Sequence, residues 1–75
     1  MTAILPIKKN LTQVTTDEDN EVLVSYTTPV AAKLAGGRLI RTNRQYSNTT
    51  TRHINLWLGG RTAEEVDQST LNALL

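Results

Sequence analysis

The spacing of the apolar residues changes once along this chain, near Tyr46, and that change limits the folds open to it. Before it the pattern is extended. Residues 11–16 (Leu-Thr-Gln-Val-Thr-Thr) are rich in β-branched side chains, and in residues 21–27 Val22, Val24 and Tyr26 alternate with Glu21, Ser25 and Thr27. Alternation with period two marks a half-buried strand, and Leu23 is the one residue that breaks it. Asp17, Glu18, Asp19 and Asn20 between the two runs form a turn, because Asp and Asn hydrogen-bond their own backbone and tolerate turn geometry. After the change Ile54, Trp57 and Leu58 recur at i, i+3 and i+4, one stripe of a helix. Ser47, Asn48 and Thr49 can each cap its start, and Gly59 stands where a left-handed C-terminal cap belongs. Strands first and helices after predict an α+β fold: a small antiparallel sheet of three to four strands, followed by one or two short helices packed on one face.

The middle of the chain carries the register question. Thr28-Pro29 interrupts a ladder, since proline offers no N–H. Gly36-Gly37 lies between two extended runs, residues 30–35 and 38–45, and suits a two-residue hairpin loop. That loop pairs Ala35 with Arg38, Leu34 with Leu39 and Ala32 with Arg41. One face then carries Val30, Ala32, Leu34 and Leu39, and the other Lys33, Arg38, Ile40, Thr42 and Arg44. A slip of one residue would place Leu34 beside Arg38 and Ile40 and expel Leu39, so the first register is preferred. Thr62-Ala63-Glu64-Glu65 reads as a capping box opening a second helix with Val66, Thr70, Leu71, Leu74 and Leu75 on its apolar face, and Asp67 and Ser69 as points where it could break. Ile54, Trp57 and Leu58 are expected to pack on Val22, Val24, Tyr26 and Leu34.

A chain of 75 residues makes one domain, residues 1–75, with residues 1–10 read as a flexible N-terminal segment. A core of this size supplies only about 3–5 kcal/mol of net stability, so small domains lean on disulfides, metals or self-association. The chain has no cysteine and a single histidine, His53. That excludes disulfides and thiolate or multi-histidine metal sites, implies no cofactor, and leaves a homodimer open. No apolar run approaches the roughly 20 residues that span a bilayer, so no membrane partner is expected and the cytoplasm is the default compartment.

Catalytic patterns fare poorly. Ser47 and His53 straddle a helix start with no acid between residues 22 and 63, and no strand–turn–helix serine elbow is present. Asp17, Asp19 and Glu21 have the spacing that opens a calcium loop, but Val22 and Thr28 occupy the positions of its glycine and its bidentate glutamate. The expectation is a non-enzymatic protein.

Charge distribution is more informative than the net charge of +1. Acids cluster at residues 17–21 and 64–67, whereas the stretch between them holds Lys33, Arg38, Arg41, Arg44, Arg52, Arg61 and His53 and no acid. Two readings follow: a solvated surface whose acidic ends fold back on the basic middle, or a patch for a polyanion. The start of the helix sharpens the second. Ser47, Thr49, Thr50, Arg52 and His53 are donors placed where a helix presents unpaired N–H groups and partial positive charge, and such ends bind phosphate. The candidate anion or nucleic-acid site is therefore Lys33, Arg38, Arg44, Ser47, Thr49, Thr50, Arg52 and His53. Against it stands an ordinary hydroxyl-capped helix. A ribbon-helix-helix arrangement fits a basic strand ahead of two helices, but two apparent strands come earlier and the first helix is short.

Two segments, Ser25-Tyr26-Thr27-Thr28-Pro29-Val30-Ala31-Ala32 and Tyr46-Ser47-Asn48-Thr49-Thr50-Thr51-Arg52-His53-Ile54-Asn55-Leu56-Trp57-Leu58, resemble a family of short uncharacterised proteins encoded by bacteriophages and prophages. The resemblance spans about half the chain, residues 22–58, and implies a phage origin and a role inside an infected host cell, in its cytoplasm. It brings no activity or site residue. The expected function is a phage accessory protein that binds nucleic acid or another polyanion. The alternatives are a protein–protein interaction module, such as an inhibitor of a host enzyme, and a minor virion component. Nucleic-acid binding requires one contiguous basic face, and an inhibitor requires an exposed apolar or acidic patch.

Overall fold

The computed structural model describes residues 3–75. The chain forms β1 (Ala3–Lys8), β2 (Leu11–Thr15), β3 (Glu21–Ser25), β4 (Thr28–Lys33), β5 (Leu39–Thr42), α1 (Asn48–Leu58), β6 (Glu64–Val66) and α2 (Gln68–Asn72). The strands build one mixed sheet in the order β1-β2-β3-β4-β5-β6, a meander of antiparallel hairpins closed by a parallel β5–β6 pair. A parallel pair needs a crossover, and α1 supplies it. The α+β expectation holds at the level of class, but the sheet has six strands rather than three to four.

Leu23 explains the architecture. Leu11, Leu23, Val30, Ala31, Ile54 and Leu58 form one buried cluster, with α1 against the sheet. Val22, Ala32, Ile40 and Leu71 form another, with α2 on the opposite face. The sheet is thus covered on both faces, not one. A strand buried on both sides reads as a continuous apolar run instead of an alternation, and this is why Val22, Leu23 and Val24 are all apolar. The same arrangement corrects the expected packing. Ile54 and Leu58 meet Leu23, whereas Val22, Val24 and Leu34 pack on the α2 side, and Tyr26 is exposed.

Covering both faces also decides the β4–β5 register. The observed pairs are Ala31 with Arg41, Ala32 with Ile40 and Lys33 with Leu39, and Leu34 and Arg38 are joined by the bond from Leu34 N–H to Arg38 C=O, 2.8 Å. This is the one-residue slip, and it expels nothing. Leu39 packs on the α1 cluster while Ile40 joins the α2 cluster. The loop is Ala35-Gly36-Gly37, closed by Gly37 N–H to Leu34 C=O at 2.8 Å, with Gly37 at φ 91°. Three-residue hairpins of this kind place a residue with positive φ at their end. Gly37→Ala is therefore expected to lower stability by roughly 1–2 kcal/mol. Gly36→Ala, at ordinary φ with open space around a new Cβ, serves as the control in the same thermal melt and should leave it unchanged.

Two elements differ from the sequence reading. Within the segment read as a flexible N-terminus, residues 3–8 form an edge strand paired with β2, and residues 1 and 2 lie outside the described residues. Glu64, Glu65 and Val66 open no helix. They pair with Ile40, Arg41 and Thr42, because β5 offers a free edge whose ladder bonds outweigh a weak local helix preference. The helix that follows is a short α2, buried through Leu71. Gln68 ties it to the sheet, donating to the Pro29 carbonyl at 2.7 Å and accepting from Thr42 Oγ1 at 2.9 Å and Tyr46 Oη at 2.8 Å. Pro29 does not end the ladder but sits in β4, where the register shifts opposite Leu23 and Val24, one of the positions proline tolerates in a sheet.

Candidate functional site

The expected anion-binding residues are dispersed. α1 begins as anticipated: Ser47 is the N-cap, its hydroxyl accepts from Thr50 N–H at 3.2 Å, and Gly59 closes the helix at φ 59°. The helix then turns its donors in different directions. Thr50 and His53 face the core, extending the Ile54, Trp57 and Leu58 stripe, while Thr49 and Arg52 face solvent. In the sheet, Lys33 pairs with Leu39 on the α1 side, and Arg38, one residue earlier in β5's run, lies with Leu34 and Ile40 on the α2 side. Each has a carboxylate beside it: Lys33 Nζ is 3.9 Å from Glu21, and Arg38 Nε donates to Glu64 Oε2 at 2.9 Å. The acidic ends of the sequence do fold back onto the basic middle. Arg44 is exposed beyond β5. Lys33, Arg38 and the start of α1 do not form one basic face.

What α1 builds inward is a hydroxyl chain ending on an imidazole. Ser47 Oγ donates to Thr50 Oγ1 at 3.3 Å, Thr50 Oγ1 lies 3.3 Å from Ser25 Oγ, and Ser25 Oγ lies 2.9 Å from His53 Nδ1. With Ser47 donating, the direction that satisfies every hydroxyl runs Ser47 to Thr50 to Ser25 to His53, so Nδ1 accepts and the ring proton sits on Nε2. Burial, and then the charge of Lys8, hold the His53 pKa below its ordinary value of 6.5, as neutral-ring bonding requires. Ser25 and His53 have the spacing of a nucleophile and its base, but Ser25 is buried beneath the helix and its hydroxyl already serves Thr50 and His53. The network is a tie between α1 and β3. Ser25 was missed in the sequence because it is 28 residues from His53 and sits on what alternation alone would make the solvent side of β3.

Trp57 makes a second tie. It is half-buried against the α1 cluster, its Nε1 donates to Gln13 Oε1 at 3.0 Å, and Gln13 donates to Glu21 at 3.0 Å. Arg61 lies 5.7 Å over its ring and donates to the Leu58 and Trp57 carbonyls, closing the end of α1.

The surface feature that stands apart is β1. The helices pack mainly over β3 to β5, α1 reaching Leu11 and Gln13 of β2, so β1 projects beyond them, and all six of its residues are exposed. Ile4, Leu5 and Ile7 are 68%, 58% and 39% exposed. Leu5 pairs with Gln13 and Ile4 with Val14, which puts Leu5 on the α1 side and Ile4 on the α2 side. Long apolar side chains on both faces of a free edge strand are an arrangement that soluble proteins avoid unless something covers it. The sequence signal was there, in Ile4, Leu5 and Ile7, but an apolar run of that length next to a terminus has no period of its own.

The fold and its surface define a class: a small domain with a helix on each face of a six-stranded sheet and one apolar edge uncovered. The chain belongs to a family of unknown function (DUF8033), whose model matches residues 2–73. No curated protein and no solved structure matches it. Among the described residues no group of His, Cys, Asp or Glu could hold a metal ion, and no helix is long and apolar enough to cross a membrane.

Proposed function

We propose that this protein is a protein–protein interaction module whose docking surface is the edge strand β1. The observation that carries the reading is the exposure of Ile4, Leu5 and Ile7 on a strand that neither helix covers. Burying such side chains is worth about 1.5–3 kcal/mol each, and in the isolated domain that gain is not taken. The basic residues support the polyanion alternative less well, since Lys33 and Arg38 point to opposite faces beside Glu21 and Glu64. The likeness of residues 25–32 and 46–58 to short phage-encoded proteins supports a setting inside an infected cell.

The test is a photoreactive residue placed at Leu5 and, in a second protein, at Leu56, which is equally exposed at 58% but lies on α1. Illumination in cells is expected to give protein adducts from position 5 and none from position 56. Equal yields would remove any special role for β1. Retention of duplex DNA at about 50 mM salt, with affinity falling at a log–log slope near −3, would favour the polyanion reading instead.

A further inference from the structure

We propose that the occupant of β1 is β1 of a second copy, paired antiparallel about a two-fold axis through Leu5. This rests on the reading of β1 as the docking edge and names its partner.

Backbone directions come first. Thr16 N–H bonds Asn20 C=O at 2.9 Å and Tyr26 N–H bonds Asn10 C=O at 2.7 Å. These bonds aim the even-numbered residues of β2 at β3, and the β2–β3 register between them is regular. Alternate residues of an antiparallel strand point their N–H and C=O to opposite sides, so Leu11, Gln13 and Thr15 face β1. Their partners Ala3 and Leu5 therefore face inward, and Ile4 and Pro6 face the open edge. Pro6 has no N–H to offer there, and the register shift between Pro6 and Lys8 bends the strand just beyond. Both features blunt an edge against open-ended strand addition.

They do not block a single two-fold pairing. With Leu5 opposite Leu5 of the second copy, Ile4 N–H of each copy meets the Pro6 carbonyl of the other, so two ladder bonds form and two are forgone, one for the missing N–H of each Pro6. The overlap runs from residue 3 to residue 7, so it brings Leu5 against Leu5, Ile4 against Pro6 and Ile7 against Ala3. All three exposed apolar side chains of the strand gain a neighbour. A pairing centred on Ile4 would carry Ile7 past Ala3, the first residue of the other copy's β1.

Charge complementarity points the same way. Lys8 and Lys9 lie at one end of β1, while Ala3 at the other end pairs with Thr15, after which the chain enters the exposed turn containing Glu18 and Asp19. An antiparallel pair sets the lysines of each copy beside the acidic turn of the other, two strand spacings or about 10 Å away, within about one Debye length at moderate salt. A parallel pair would set like charges together.

Sedimentation equilibrium of the purified full chain across about 10 μM to 1 mM at low salt is the test. The mass is expected to rise to twice the 8.3 kDa of one chain. Leu5→Lys, which puts two ammonium groups face to face on the axis, is expected to weaken the dimer at least about 100-fold. Its melting curve at low concentration should be unchanged, because Leu5 is exposed in the single copy. Lys8→Glu with Lys9→Glu should also abolish the dimer at low salt, and adding Glu18→Lys with Asp19→Lys to that protein should restore it. A dimer indifferent to Leu5→Lys, or a charge exchange that fails to restore it, overturns the proposal. A chain that stays monomeric at 1 mM overturns it too. In that case cross-linking from position 5 to a different protein would leave the docking edge standing, and its absence would remove both.

Discussion

Leu23→Ala is expected to destabilise the domain by about 2–5 kcal/mol, most of what a chain of this size has, and to leave it largely unfolded at room temperature. Leu23 is fully buried at the centre of the cluster that joins α1 to the sheet. It pairs across the sheet with Gln13 on one side and Ala31 on the other, and a side chain as small as alanine at position 31 cannot move in to fill the space left. Urea unfolding followed by far-ultraviolet circular dichroism measures the loss. Trp57→Ala should cost less, because Trp57 lies at the rim of that cluster rather than inside it. Observing the reverse order would mean that α1 is anchored by its indole and not by the Leu23 contact.

Acidification is expected to weaken the fold through His53. Its pKa is lowered in the folded protein by burial and by Lys8, so the unfolded chain takes up a proton at a higher pH than the folded one does. Between the ordinary value of 6.5 and the lower folded value, the unfolded state binds more protons and stability rises with pH. The contribution is fully present above pH 6.5, is lost as pH falls towards the folded pKa, and levels off below it. One proton gives a slope of at most about 1.4 kcal/mol per pH unit. The physical event is reversal of the hydroxyl chain, since a protonated Nδ1 must donate to Ser25, which at present lies within bonding distance of both His53 and Thr50. His53→Asn keeps an acceptor near the position of Nδ1 and should flatten the profile immediately below pH 6.5. A slope unchanged in His53→Asn would assign the pH dependence to other groups.

Local chemistry made part of this structure legible. The β2–β3 hairpin around residues 17–20 follows from β-branched runs flanking an Asp- and Asn-rich turn, and α1 follows from a hydroxyl cap, a three-point apolar stripe and a glycine stop. Each is decided within a few residues, by backbone groups that must be satisfied on the spot. The candidate site was less legible for the same reason. Ser47 is one of three caps the sequence allows, Thr50 reads there as an anion donor but is buried, and which donors turn inward depends on Ser25, in a strand far away in sequence.

Composition and local signals determined a cysteine-free α+β fold with a run of strands leading into α1. Tertiary structure alone decided that both faces of the sheet are covered, and from that came the remaining outcomes. With one covered face, Leu39 and Ile40 compete for the interior and a slip exposes one of them. With two, both are buried and the hairpin takes the three-residue loop that Gly37 permits. Residues 64–66 became a strand because α1 carried them to the open side of β5, where ladder bonds were waiting. Ala3–Lys8 became an edge because β2 had no other partner on that side, and its apolar side chains were left uncovered because α1 reaches no further than Leu11 and Gln13 of β2.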